Sequence, residues 1–176
     1  MLKQTVQDAL NEQIRVEFAS SYVYLAMAAY CEGENFLGAA SWLQAQSQEE
    51  YAHGMKLYHF MLARNIKIKF GEIPEASVDY ESVVAVFRKV LEQETEVTER
   101  IDALYELAFK EKAFAALVEL QWFITEQVEE ERTAREIVAK FELVKDDPSA
   151  LLDLDRELGE RTPQNTTAAS EPGTGA

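Results

Sequence analysis

The sequence predicts an all-α fold: a four-helix bundle with a long crossover between its second and third helices and a short fifth helix after the fourth. Three observations predict it. Apolar residues recur in alternating steps of three and four along four long stretches, which is the period of an amphipathic helix. The stretch 65–79 contains Gly71 and Pro74, carries no such stripe, and is long for a simple turn. Asp147-Pro148 reads as a capping residue followed by a first-turn proline, the opening of a further helix. With 176 residues and 47% hydrophobic content, one domain over 1–161 can hold its own core, and 162–176, made largely of Thr, Ser, Pro, Gly and Ala, is expected to be a disordered tail.

Each element has its own signal. The first helix is expected over Gln4–Glu32, with one face of Val6, Leu10, Gln13, Glu17, Tyr24, Met27 and Cys31, and with Gly33 ending it in a left-handed conformation. The second is expected over Phe36–Arg64, capped by Asn35 and stopped by Asn65; its stripe is Phe36, Ala39, Leu43, Gln46, Glu50, His53, Leu57 and Phe60. A helix of about 30 residues is about 45 Å long, and the 15 residues that follow can extend to about 50 Å. They can therefore return along the bundle and set the third helix parallel to the second. That helix, Tyr80–Lys110, has the face Val83, Phe87, Val90, Glu94, Val97, Ile101, Leu104 and Ala108. After a tight turn at Glu111-Lys112 the fourth runs to Leu143 with Phe123, Gln127, Glu130, Ala134, Ile137 and Phe141 on one face. The fifth spans Asp147–Glu157 and aligns Leu151, Leu154 and Leu158, a side expected to need a partner beyond the bundle.

Polar residues interrupt all four stripes. Glu17, Glu50, Glu94 and Gln127 each lie 14 to 17 residues from an expected helix end, so the helices bring them to one depth. One buried polar residue is ordinarily satisfied by a local hydrogen bond. Four carboxylates, Glu17, Glu50, Glu94 and Glu130, with the imidazole of His53, are another matter: an uncompensated buried carboxylate costs several kcal/mol, comparable with the stability of a small domain. One or two divalent cations offset that cost, and a mixed oxygen and nitrogen set suits iron or manganese and accepts zinc. The Glu50-x-x-His53 pair offers an oxygen and a nitrogen from one helix face.

Composition narrows the remaining classes. A net charge of −15 argues against nucleic acid, whose phosphates need a basic surface, and is compatible with attracting cations. The longest nearly apolar run, Tyr22–Cys31, is too short to cross a bilayer, so no membrane association is expected. Cys31 is the only cysteine, and the start of the chain does not resemble a signal peptide; a reducing, cytoplasmic setting is the simpler expectation.

Over about residues 1–160 the chain resembles the prokaryotic non-haem ferritins, on Glu17, Tyr24, Glu49-Glu50-Tyr51-Ala52-His53, Glu94 and Glu126-Gln127-Val128-Glu129-Glu130. The resemblance implies that Glu17, Glu50 and His53 hold one iron, that Glu50 bridges to a second held by Glu94 and Glu130, and that Gln127 lies beside the pair. It further implies an outer third site at Glu49, Glu126 and Glu129 together with Glu130, although Glu126 and Glu129 also fit a solvated acidic face. Tyr24 matches a tyrosine that can supply an electron, and aromatic packing explains it nearly as well. Trp122 reads as core ahead of electron relay, and His59 as surface. Gln127-x-x-Glu130 stands where bacterioferritins carry a second Glu-x-x-His, and Ala52 stands where they carry methionine, so no haem is expected. The implied activity is a ferroxidase that uses O2 or H2O2 to convert Fe(II) to Fe(III), cycling through a di-iron centre and storing mineral in a homo-oligomeric shell of roughly twenty-four subunits. A di-iron peroxidase of rubrerythrin type and a metal-free helical scaffold are the alternatives.

Overall fold

In the computed structural model, which describes residues 2–160 and so leaves the expected tail, 162–176, outside the described residues, five helices follow one another: α1 (Gln4–Gly33), α2 (Leu37–Ala63), α3 (Val83–Lys110), α4 (Phe114–Val144) and α5 (Pro148–Gly159). No strand occurs among the described residues. The long helices end in a common way. Asn35, Asn65 and Lys112 take φ values of 63°, 55° and 53°, and the residue after each donates its N–H back into the last helical turn: Phe36 to Cys31, Ile66 to Met61 and Ala113 to Ala108. A left-handed residue just past a helix satisfies carbonyls the helix leaves unpaired.

Two expected boundaries change accordingly. Gly33 remains helical, and the left-handed position after α1 falls to Asn35, which therefore terminates α1 and does not cap α2. The third helix starts at Val83 and not at Tyr80, because the Ser82 side chain accepts the N–H of Ala85 and makes Ser82 the cap. Asn65 stops α2 as expected.

The 64–82 connection runs along α1. Asn11 fastens it, its Oδ1 accepting from Lys69 N at 2.6 Å and its Nδ2 donating to Lys67 O at 3.4 Å. Farther along, the Tyr30 and Tyr80 rings meet edge to face at 5.3 Å. The chain thus travels from the end of α2 to the end of α1, so α3 runs parallel to α2, as the crossover length requires.

α5 overturns one expectation. Leu154 and Leu158 are buried, and Leu151 packs half-buried against the same cluster, so all three leucines find partners on their own bundle. The link is specific. Asp155, also buried, accepts the N–H of Gly38 (3.1 Å) and of Ala39 (2.8 Å), the second and third residues of α2, which lacks a side-chain cap of its own. Carboxylates favour that position because free N–H groups and the helix dipole converge there. Gly38 permits the approach: a Cβ at this position would lie 1.7 Å from the Asp155 carbonyl oxygen.

The buried side chains form two clusters. One, around Tyr24, Leu43, Phe87 and Phe141, occupies the end where α5 docks; the other, around Leu10, Leu57, Ile101 and Phe123, occupies the far end. Between them lies a layer in which Gln13, Glu17, Gln46, Glu50, His53, Gln93, Glu94, Gln127 and Glu130 are all buried.

Candidate metal centre

Helical phase puts these residues inside. Each occupies the core stripe of its helix, and burial leaves Glu17, Glu50 and Glu94 each about 1% exposed and Glu130 8% exposed. Glu17 from α1 meets Glu50 and His53 from α2, and one ligand atom of each lies within 4.8 Å of the others. Their unpaired atoms decide how this trio is read. With both carboxyls ionised, Glu17 Oε2 and Glu50 Oε2, like His53 Nε2, are buried without a hydrogen-bond partner; in the absence of a cation the two carboxyls lie close enough to share a proton, and His53 Nδ1 stands 3.6 Å from Glu50 Oε2. Buried polar groups are rarely left so, and three in one place fit the donor set of a cation.

The other side of the layer comes from α3 and α4. Tyr24 donates its phenol to Glu94 Oε1. Gln127 Nε2 approaches Glu94 Oε2, Glu94 O and Thr98 Oγ1, each at 3.3 Å, while Thr98 Oγ1 donates to Glu94 O at 3.0 Å. Across the bundle, Gln46 Nε2 donates to Glu130 Oε2 at 3.0 Å, and Gln13 Nε2 donates to Glu17 Oε1 at 2.9 Å.

Electrostatics join the two sides. Burial, and then the charge of Glu50, hold the Glu17 carboxyl well above the ordinary carboxylate range. Burial, and then Glu94 and Glu130, do the same to Glu50, so Glu50 faces the carboxylates of both sides. Glu94 is pushed up by burial, against its bonds from Tyr24 and Gln127. Tyr24 is raised by burial and next by Glu94 and Glu50, which keeps the phenol protonated as a donor. Carboxyls in this condition take up either protons or cations, since like charges in a dry site cannot all stand uncompensated.

Glu49, Glu126 and Glu129 stand outside the layer. Glu126 is half-buried; burial raises it, His53 lowers it, and Glu129 and Glu49 raise it, which places the three carboxylates in one field beside His53. Glu49 is half-buried and Glu129 exposed. The Trp122 ring meets His53 edge to face at 5.2 Å and carries the Lys56 ammonium 4.8 Å from its centre on the way to solvent. His59 is exposed.

Sequence reasoning placed Gln13 and Gln46 in the stripes but gave them no role, and it missed Thr98 and Asp155. Stripe position signals burial, while the partner of a buried amide depends on side-chain direction across the bundle. Thr98 and Asp155 act through atoms on other turns or other helices, for which a linear sequence holds no marker.

Comparison with known proteins agrees with this architecture. A family model described as a ferritin-like domain matches residues 7–144. Bacterial non-heme ferritins from Staphylococcus aureus and Staphylococcus haemolyticus are 36% and 35% identical, each over 92% of this chain and 98% of the relative. Among solved structures, an open-pore ferritin from the hyperthermophilic archaeon Archaeoglobus fulgidus superimposes with a TM-score of 0.90 at 41% identity, covering 92% of this chain and 100% of that one. A closed form of the Archaeoglobus fulgidus ferritin, engineered by site-directed mutagenesis, superimposes equally well. No helix among the described residues is long and apolar enough to cross a membrane.

Proposed function

The chain belongs to the ferritin-like family, and from that membership we propose that it is an iron-storage protein with ferroxidase activity. It oxidises Fe(II) with dioxygen, or with H2O2, at a di-iron site inside each subunit and keeps Fe(III) as mineral within a homo-oligomeric shell in the cytoplasm. The observation that carries the reading is the convergence of Glu17, Glu50 and His53, buried and with one ligand atom of each within 4.8 Å of the others, in a layer crowded with carboxyls.

Iron is substrate and cargo here. Glu17, Glu50 and His53 would hold one Fe(II), and Glu50 with Glu94 and Glu130 the second, with Gln127 beside the pair. Four carboxylates supply four negative charges, equal to the charge of two Fe(II). Binding therefore neutralises the layer at the cost of releasing protons. Oxidation sends one electron from each iron to the oxidant and adds two positive charges, which the four carboxylates no longer balance. Glu49, Glu126 and Glu129, on the side facing solvent, offer the departing Fe(III) a further set of oxygens. Tyr24, hydrogen-bonded to Glu94, would supply a further electron to the oxidant.

Anaerobic titration with Fe(II) followed by admission of oxygen tests the reading. Rapid oxidation of the first two irons per chain, with continued loading and retained iron, is expected. Oxidation without retention would indicate a peroxidase of rubrerythrin type, and no specific binding would indicate a metal-free scaffold.

A further inference from the structure

Three of the layer's carboxylates are each met by the amide of a buried glutamine. Gln13 on α1 serves Glu17 one turn ahead, Gln46 on α2 serves Glu130 on α4, and Gln127 on α4 serves Glu94 on α3. We propose that Gln13 and Gln46 are positioning residues of the metal layer, each fixing the rotation of one ligand carboxylate by occupying a chosen oxygen. The inference rests on the metal-binding reading above and assigns it two residues outside the ligand set.

The geometry selects one oxygen in each pair. Gln13 takes Glu17 Oε1, which leaves Glu17 Oε2, buried and without an amide donor, for the group formed with Glu50 and His53. Gln46 takes Glu130 Oε2 from the opposite helix. Both glutamines are almost wholly buried, at 3% and 0% exposure, in positions where the stripe would accept leucine. Burying a primary amide is unfavourable unless it is bonded, so packing alone does not account for them. Gln93 shows that the pairing is not automatic for a glutamine in this layer, since its Nε2 is buried without a partner.

The donor's chemistry also suits the task. Lysine or arginine would hold a carboxylate as firmly, but its charge would cancel the one that attracts the cation. An amide donates and adds no charge. Groups that orient metal ligands in this way typically contribute about 10- to 100-fold to metal affinity.

Co(II), followed by its visible absorption, is the probe for the test. Wild-type protein is compared with Gln13→Leu and Gln46→Leu, which keep bulk and lose the donor; Gln13→Met and Gln46→Met are read in the same way if a leucine variant does not fold. The expected result is an affinity lower by about 10-fold or more at one of the first two Co(II) sites, with an altered spectrum of that ion, an unchanged second site, and native helical content in the metal-free protein. Unchanged affinities and spectra at both sites would overturn the proposal, and so would equal weakening of both sites together with a destabilised metal-free protein. Failure of wild type itself to bind two Co(II) per chain would show instead that the metal-binding reading is wrong, and this proposal would fall with it.

Discussion

Raising the pH of the metal-free protein from 5 to 8 should destabilise it, and Glu50→Gln should blunt the effect. Glu17, Glu50 and Glu94 are buried, and each is held above its ordinary carboxylate range by burial first; the charge of Glu50 adds to the shift of Glu17, and those of Glu94 and Glu130 to that of Glu50. Above the unfolded carboxylate range, the native state therefore holds protons that the unfolded chain has released. Stability is complete below that range and is lost as pH rises through the folded values, at a slope of about 1.4 kcal/mol per pH unit for every carboxyl still protonated. The carboxyls held low by cation partners, Glu12 beside Arg15 among them, act the other way but only at more acidic pH. Glu50→Gln removes the carboxyl that faces both sides of the layer, so it should take away up to about 1.4 kcal/mol per pH unit of slope and relieve its neighbours. Urea unfolding at pH 5, 6, 7 and 8 and fixed subunit concentration, with chelator present, measures it. Zn(II), added in place of the chelator, should reverse the loss, by about 2.7 kcal/mol at a free concentration 100 times its Kd. A stability that rose with pH across this range, or an equally steep slope in Glu50→Gln, would refute the placement of these carboxyls in one dry layer.

Three other outcomes follow from the geometry. His53→Ala and Glu94→Ala should each abolish rapid Fe(II) oxidation, seen as initial rates in stopped-flow absorbance, while circular dichroism shows the helices intact. Glu49→Ala or Glu129→Ala should leave binding of the first two Fe(II) per chain unchanged and alter later uptake; loss of the first two in an anaerobic titration would mean that the inner site is misassigned. At the α5 junction, a Cβ on Gly38 would lie 1.7 Å from the Asp155 oxygen, where ordinary contacts are about 3.5 Å. Gly38→Ala must therefore push α5 away by about 2 Å, enough to break both Asp155 bonds. Loss of that cap alone, in Asp155→Ala, should cost about 1 kcal/mol, and Gly38→Ala should cost more and speed proteolysis between α4 and α5.

The helical stripes of 3.6-residue period made the four long helices, their order and the parallel return of α3 legible in the sequence. The same stripes exposed the layer, because Glu17, Glu50, Glu94 and Glu130 stand where only apolar residues are otherwise stable. Polar residues at helix ends were harder to read. Gly33 and Asn35 are both capable of the left-handed turn after α1, and the choice of Asn35 depends on which neighbouring carbonyls are reached. The leucines of α5 mislead for a related reason: the stripes on the long helices are complete in themselves, yet the end of a bundle is also a surface. Asp155 carries no sequence signal for its contact with a helix more than a hundred residues earlier. Gln13 and Gln46 were visible as positions and silent as partners, since a stripe shows what is buried and not what it touches.

The most direct test is a crystal of the protein soaked anaerobically in Fe(II), with diffraction recorded at the iron absorption edge. Two anomalous peaks are predicted in the polar layer of each subunit, one bounded by Glu17, Glu50 and His53 and one by Glu50, Glu94 and Glu130. Iron found only on the outer surface, with no peak between the two hydrophobic clusters, would contradict the account.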